Sequence, residues 1–309
     1  MPATPPPSRH TRAWALLGLL GCLGLSAWEA RRWSLADAPM PPASLASPAA
    51  HTIGKAWQMV AHGELPQPRT APSAHASHLL ALPEQSPYAI AAFWFAGERE
   101  SAPDVRIAMG LLDRQTQTWR DAQWVVDRHA MGQALGHGLR RLGNPVAWID
   151  AQQRIHVFVV ATGLGGWAAS RVLHLRQAAG STDLANLQLD VVRVLPLSWL
   201  WNTSHLVRNP PLPLADGGMV LPLHFELGLK YPVFAWFNRD GDLMGLHRIS
   251  TRKDLLQPSL LALTPTHWLA LMRTQSPVRR VAVVESVDAG AHWQNHADLD
   301  QPNPDAGLA

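Results

Sequence analysis

Cysteine is nearly absent: Cys22 stands alone in 309 residues. No intrachain disulfide is possible, and one thiol says nothing about the compartment. Charge is sparse too. Only 16% of the residues are charged, and 26 basic against 23 acidic side chains leave a net charge of +3 with no basic run or stripe. That excludes the electrostatic footprint of a nucleic-acid-binding surface. Clusters of Cys, His, Asp and Glu at metal-ligand spacing are also missing. His75 and His78 come nearest, but no further ligand accompanies them, so neither a metal nor a cofactor is implied. The run Gly163-Leu164-Gly165-Gly166-Trp167 is rich in glycine, yet no helical pattern follows it as a dinucleotide loop would require. Tyrosine occurs only twice, at Tyr88 and Tyr231, and Tyr88 reads as a surface turn residue.

What the chain does have is apolar bulk arranged in short runs. With 47% apolar residues and 14 tryptophans it can bury a sizeable core. Trp94, Trp148, Trp236 and Trp268 fall at strand positions, where packing is their expected role. Near the end, the β-branched run Val281 to Glu285 leads into Ser286, Asp288, Gly290 and Trp293, spaced S-x-D-x-G-x-x-W. In a strand-to-strand turn an Asp carboxylate can accept backbone N–H bonds, Gly takes a positive φ, and Trp fills an apolar gap.

A longer period runs through the rest. Asn144-Pro145, Asn209-Pro210, Gln257-Pro258 and Asn303-Pro304 lie 65, 48 and 46 residues apart, each ahead of an apolar run that reads strand, turn, strand. Proline suits the first residue of a strand, where no ladder N–H is needed. A first copy begins at His78. The pattern predicts an all-β domain over residues 52–309 made of about four blade-like units, the fifth cut short at "QPNPDAGLA".

The first 50 residues read differently. Residues 1–12 are a basic n-region, 13–28 are 16 uncharged apolar residues, and Glu29, Arg31 and Arg32 follow. As a helix this stretch spans about 24 Å against a hydrocarbon core of about 30 Å. A signal-anchor and a cleaved signal both fit; cleavage after Ala30 would place Trp28 at the −3 position, where a small residue is preferred. Both imply export, and the anchor makes the membrane a partner. Cys22 follows Leu19-Leu20-Gly21, a faint lipobox, but the apolar run continues past it. Residues 34–50, with Pro39, Pro41, Pro42 and Pro48, read as a semi-extended spacer.

The turn spacing and the period together resemble the Asp-box and blades of the bacterial sialidase-like family with BNR repeats, over about residues 70 to 305. The resemblance implies a six-bladed β-propeller, with two blades missing here, and an Asp-box that is structural and remote from the active site. It also implies glycoside hydrolysis: arginines hold the substrate carboxylate bidentately, an acid protonates the leaving oxygen, and a Tyr–Glu pair replaces the usual carboxylate nucleophile. On that match Asp104, in "FAGERESAPDVRI", is the acid, with Arg99 beside it and Glu98 as an alternative. Glu226 stands where the family glutamate does, and Arg208 and Arg273 are arginine candidates. Gln257 and Lys230 fall at neighbouring positions. The chain departs from the family at His75, which stands where the first arginine is expected, and Tyr231 matches no nucleophile motif. Asn144 and Trp167 are added as hydroxyl-binding and sugar-stacking candidates. Two functions follow: a sialidase-type hydrolase of reduced activity, or a non-catalytic carbohydrate-binding propeller.

Overall fold

The computed structural model describes residues 9–32, 40–45, 63–69, 71–198, 202–303 and 306–308. Pro304, most of the expected spacer and the first eight residues lie outside the described residues. Helix α1 (Arg9–Arg32) opens the chain. Among the described residues no helix is long and apolar enough to cross a membrane. The expected anchor is thus a helix but not a span, because its uncharged core is short and Gly18, Gly21 and Gly24 dilute its hydropathy.

Among the described residues seventeen strands follow in four antiparallel sheets. Blade 1 is β1 (Ser73–Ala81), β2 (Tyr88–Gly97), β3 (Arg106–Asp113) and β4 (Gln123–Val126). Helix α2 (Arg128–Leu135), capped by the Asp127 carboxylate and ended by left-handed Gly136, leads to blade 2. That blade is β5 (Arg141–Ile149), β6 (Ile155–Thr162), β7 (Ser170–Gln177) and β8 (Leu189–Val194). Blade 3 opens with β9 (His205–Val207) and β10 (Leu212–Pro213), both paired to β11 (Met219–Phe225), and adds β12 (Tyr231–Phe237) and β13 (Leu243–Arg248). Blade 4 is β14 (Leu255–Ala262), β15 (Trp268–Thr274), β16 (Ala282–Ser286) and β17 (Gln294–Asn295). The first strands of successive blades lie against one another, β1 on β5 and β10 on β14. This is a four-blade, propeller-like arrangement with the leading strands inside.

The blades stack through apolar layers, which is why their central strands read as continuous apolar runs and not as clean alternation. Every residue of β6 is buried. Phe93, Ile107 and Met109 of blade 1 meet Leu142, Val157 and Leu173 of blade 2. Phe158 and Val160 then meet Leu221, Val233 and Phe237, and Val220 and Phe234 meet Trp268, Ala270 and Met272. Trp94, Trp148 and Trp268 are buried as expected. Tyr88 is not the surface residue expected: it is buried as the first residue of β2, with its hydroxyl 2.5 Å from Arg120 Nη1.

The Asn/Gln-Pro pairs do not begin strands. Asn144-Pro145 and Gln257-Pro258 sit inside the leading strands, at β-bulges. Register shifts between Gly143 and Val146 and between Leu256 and Ser259, with Asn144 at φ 38° and Gln257 at φ 52°. At Asn209-Pro210 the same break separates β9 from β10. Blade 1 makes the bulge without proline, between His75 and His78, with Ala76 at φ 54°. The premise that proline needs no ladder partner holds; a bulge supplies that freedom in mid-strand as well as a strand end does.

Antiparallel order places the connections on two ends. The β2–β3, β6–β7, β11–β12 and β15–β16 loops lie at the end where the leading strands start, the upper face, and the hairpin turns after the leading strands lie at the lower face.

Candidate functional site

Residues 98–105, 163–169 and 226–230 are upper-face loops, so Arg99, Asp104, Trp167 and Glu226 share that end with Arg273 near the close of β15. His75 joins them near the start of β1. It is exposed, stacked on Phe95 at 5.5 Å, with Nε2 3.1 Å from Ser73 Oγ.

Not all of these side chains are free for a ligand. The Asp104 carboxylate accepts the Glu98 N–H at 2.8 Å and so closes its own loop. It also lines a cleft of about 350 Å³ with Arg106, Asp127 and Arg128. Trp167 donates its indole N–H to Ser101 at 3.1 Å, and its ring edge lies over Gly143, where any Cβ would be 3.0 Å away. It therefore welds the β6–β7 loop to the β2–β3 loop. Arg99 and Glu98 are exposed. Asn144 is half-buried at its bulge, in mid-strand and not at the strand start expected for it.

A second group gathers at blades 3 and 4. Period-2 alternation puts His224 and Glu226 on one face of β11, and His224 Nε2 lies 3.4 Å from Glu226 Oε2. His224 is buried, and burial holds its pKa below the usual imidazole value. The hydrogen bond from His224, aided by the charges of Arg273 and Lys230, pulls Glu226 below the ordinary carboxylate range against a desolvation penalty. Glu226 and Arg273 are thus brought into electrostatic range of each other. His205 lies on neighbouring β9, stacked edge-on to Phe225 at 5.2 Å, with its pKa lowered by burial to about 4.

Arg208 follows β9 on the leading strand. Its charge lies within electrostatic range of His78 on blade 1. It is half-buried, desolvation lowers its pKa, and it has no hydrogen-bond or ion-pair partner among the described residues. Beside it, Gln257 Oε1 is buried without a hydrogen-bond partner among the described residues. A desolvated cation without a counter-ion is costly and is relieved by an anion. Chemically, the arrangement offers a cationic anchor, an ionised carboxylate for hydroxyls, and a polar rim.

Asp288 occupies the other end. Its Oδ1 accepts from Ser286 Oγ and His292 N–H, both at 2.9 Å; Ser286 Oγ in turn accepts from Gly290 N–H at 2.8 Å, and Gly290 sits at φ 81°. Trp293 donates to the Gly290 carbonyl and packs at the blade 3–4 layer. Sequence reading found this turn but missed its relatives. Asp113, Asp150 and Asn238 each accept two backbone N–H bonds at the lower face, but only the last blade keeps the S-x-D-x-G-x-x-W spacing. The Glu226 partner His224 was missed too, although "HFE" carries its i, i+2 signal.

Residues 89–309 match the model of the BNR repeat-like domain, and the chain belongs to that family. No curated protein sequence matches it. Among solved structures it resembles a Hadza microbial sialidase, with TM-score 0.57, 14% identity, and coverage of 75% of this chain and 48% of that one. A Trypanosoma rangeli sialidase in complex with 2,3-difluorosialic acid, a covalent intermediate, gives TM-score 0.53 and 13% identity over 72% of this chain and 37% of that one. A Dyadobacter fermentans protein of unknown function gives TM-score 0.54 and 10% identity over 77% and 72%. The chain thus spans less than half the length of these sialidases. At such identities the likeness is one of fold: a sialidase-like propeller architecture.

Proposed function

We propose that the upper face binds an acidic saccharide in a sialidase-type site, with Arg208 as the carboxylate anchor, Arg273 supporting it, and Glu226 accepting hydroxyls. The observation that carries this reading is the half-buried Arg208 guanidinium, which has no counter-ion among the described residues. A guanidinium fork matches a carboxylate bidentately. The T. rangeli sialidase that shares the fold holds a sialic-acid analogue. The same reading makes these blades part of a six-bladed ring and places Asp104 as acid, with Arg99, Asn144, His75 and Trp167 at the rim. It also includes export behind residues 13–28. Isothermal titration with sialic acid and with a neutral hexose is the test: heat with the acidic sugar alone, abolished in Arg208→Ala, is expected. Equal binding of both sugars, or none, overturns it.

Binding without turnover is the second reading, and the tyrosines favour it. The Tyr231 ring is stacked on Phe225 at 4.9 Å with the Arg248 guanidinium 4.3 Å from its centre, and Tyr88 is buried against Arg120. Both rings are thereby held in packing contacts.

A further inference from the structure

The expected spacer contains a short described stretch, residues 40–45, that is docked and not free. Met40 is 6% exposed and Ala43 2%. Both belong to the apolar layer between blades 3 and 4, where the Met40 methyl reaches the space above Gly290 and Trp268. The backbone is paired as well. Ala43 forms an antiparallel bridge with Leu214; Ser44 N–H donates to the Pro213 carbonyl at 2.9 Å and Ala215 N–H to the Pro42 carbonyl at 2.8 Å. Across the groove, Ala43 N–H donates to the Pro265 carbonyl at 2.7 Å. Leu214 and Ala215 belong to the turn after β10, Pro265 to the turn after β14, and Gly290 to the turn after β16. All three are lower-face turns.

This stretch therefore touches two blades at once from beneath. Pro41 and Pro42 hold it extended, with little entropy left to lose on docking. The small Ala43 lets the backbone approach both turns.

We propose that Met40–Ser44 is a built-in strap that closes blade 4 on blade 3 from the lower face and tethers helix α1 to that end. Between Arg32 and Met40 there are only eight backbone steps, a reach of at most roughly 29 Å. Helix α1 carries exposed Trp14, Leu16, Leu17, Leu19, Leu20 and Leu23, and the tether draws them to the lower side. The ligand face points the other way. The tether holds whatever the upper face binds, since it rests on the lower-face contacts alone.

Cys22 lies exposed in α1 and is the chain's only cysteine, so it can carry a spin label without replacing any other. Two full-length variants supply the second label: Val287→Cys at the lower face and Leu164→Cys at the upper face, both highly exposed positions. Double electron–electron resonance should give a shorter mean distance from Cys22 to position 287 than to position 164. Equal or reversed distances overturn the tether. Amide exchange in the unaltered chain tests the strap itself: Ala43, Ser44 and Ala215 should exchange at least tenfold more slowly than unprotected amides, and Ala43→Arg should remove that protection. Free exchange of these amides in the unaltered chain overturns the strap, and it needs no variant to fold.

Discussion

The Asn209 side-chain amide donates to two carbonyl oxygens of the next blade, Gln257 at 2.9 Å and Pro258 at 3.0 Å, so the bulge of blade 3 is stapled to the bulge of blade 4. His78 makes the corresponding link from blade 1 to blade 2, with Nε2 3.0 Å from the Ala147 carbonyl. Asn209 is 2% exposed, so its loss strands buried acceptors. Asn209→Leu should lower stability by about 1–3 kcal/mol, read from urea unfolding midpoints at unchanged m-value.

Arg208 should show the opposite sign. Its side chain is desolvated with no counter-ion among the described residues, so Arg208→Met should leave stability unchanged or raise it by up to about 1 kcal/mol. The same variant should lose acidic-sugar binding. A clear loss of stability together with intact binding would show that Arg208 is structural.

Acid should weaken the fold earlier than carboxylate chemistry alone predicts. Burial lowers His78, His205 and His247 to about 4 and His174 to about 2. In the unfolded chain these imidazoles take up a proton near pH 6.5, while in the fold they stay neutral. The contribution is therefore flat above pH 6.5 and is lost as pH falls from about 6.5 toward about 4. Each histidine adds a slope of at most about 1.4 kcal/mol per pH unit. His174 is stacked on Phe158 at 4.7 Å and sits 2.7 Å from His156, which Asp150 holds at 2.9 Å. Unfolding measured at pH 7.5 and 5.0 should reveal the slope, and His174→Phe should reduce it.

Asp288→Ala should cost about 1–2 kcal/mol, because a turn loses an acceptor for a backbone N–H and a hydroxyl. Saccharide binding should be untouched, since the turn lies at the lower face. Calorimetric affinity equal to that of the unaltered protein is the expected readout.

Turnover should be weak. If, as the family resemblance implies, His75 stands where an arginine would hold the substrate carboxylate, a fluorogenic sialoside should be cleaved slowly or not at all; losing a transition-state charge contact alone costs about two to three powers of ten in rate. Vigorous cleavage abolished by Asp104→Ala would show that the acid role of Asp104 survives its hydrogen bond to Glu98 and that another nucleophile exists.

Much of the architecture was legible in local order. The spacing from Ser286 to Trp293 is a turn whose chemistry lies within eight residues, and Asn144-Pro145, Asn209-Pro210 and Gln257-Pro258 mark the leading strands of blades 2, 3 and 4, because backbone conformation at such positions is set by neighbours in the chain. What local order left undecided was where each side chain finds its partner. Trp167 and Ser101 are 66 residues apart, Asn209 and Gln257 are 48 apart, and Met40 meets Gly290 from the far end of the sequence. Strand, turn and bulge follow from residue type over a few positions. Whether Asp104 is spent on its own loop, whether Arg208 keeps its charge unmatched among the described residues, and whether a proline-rich stretch hangs free or becomes a strap depend on burial and long-range contact, which only the packed blades decide.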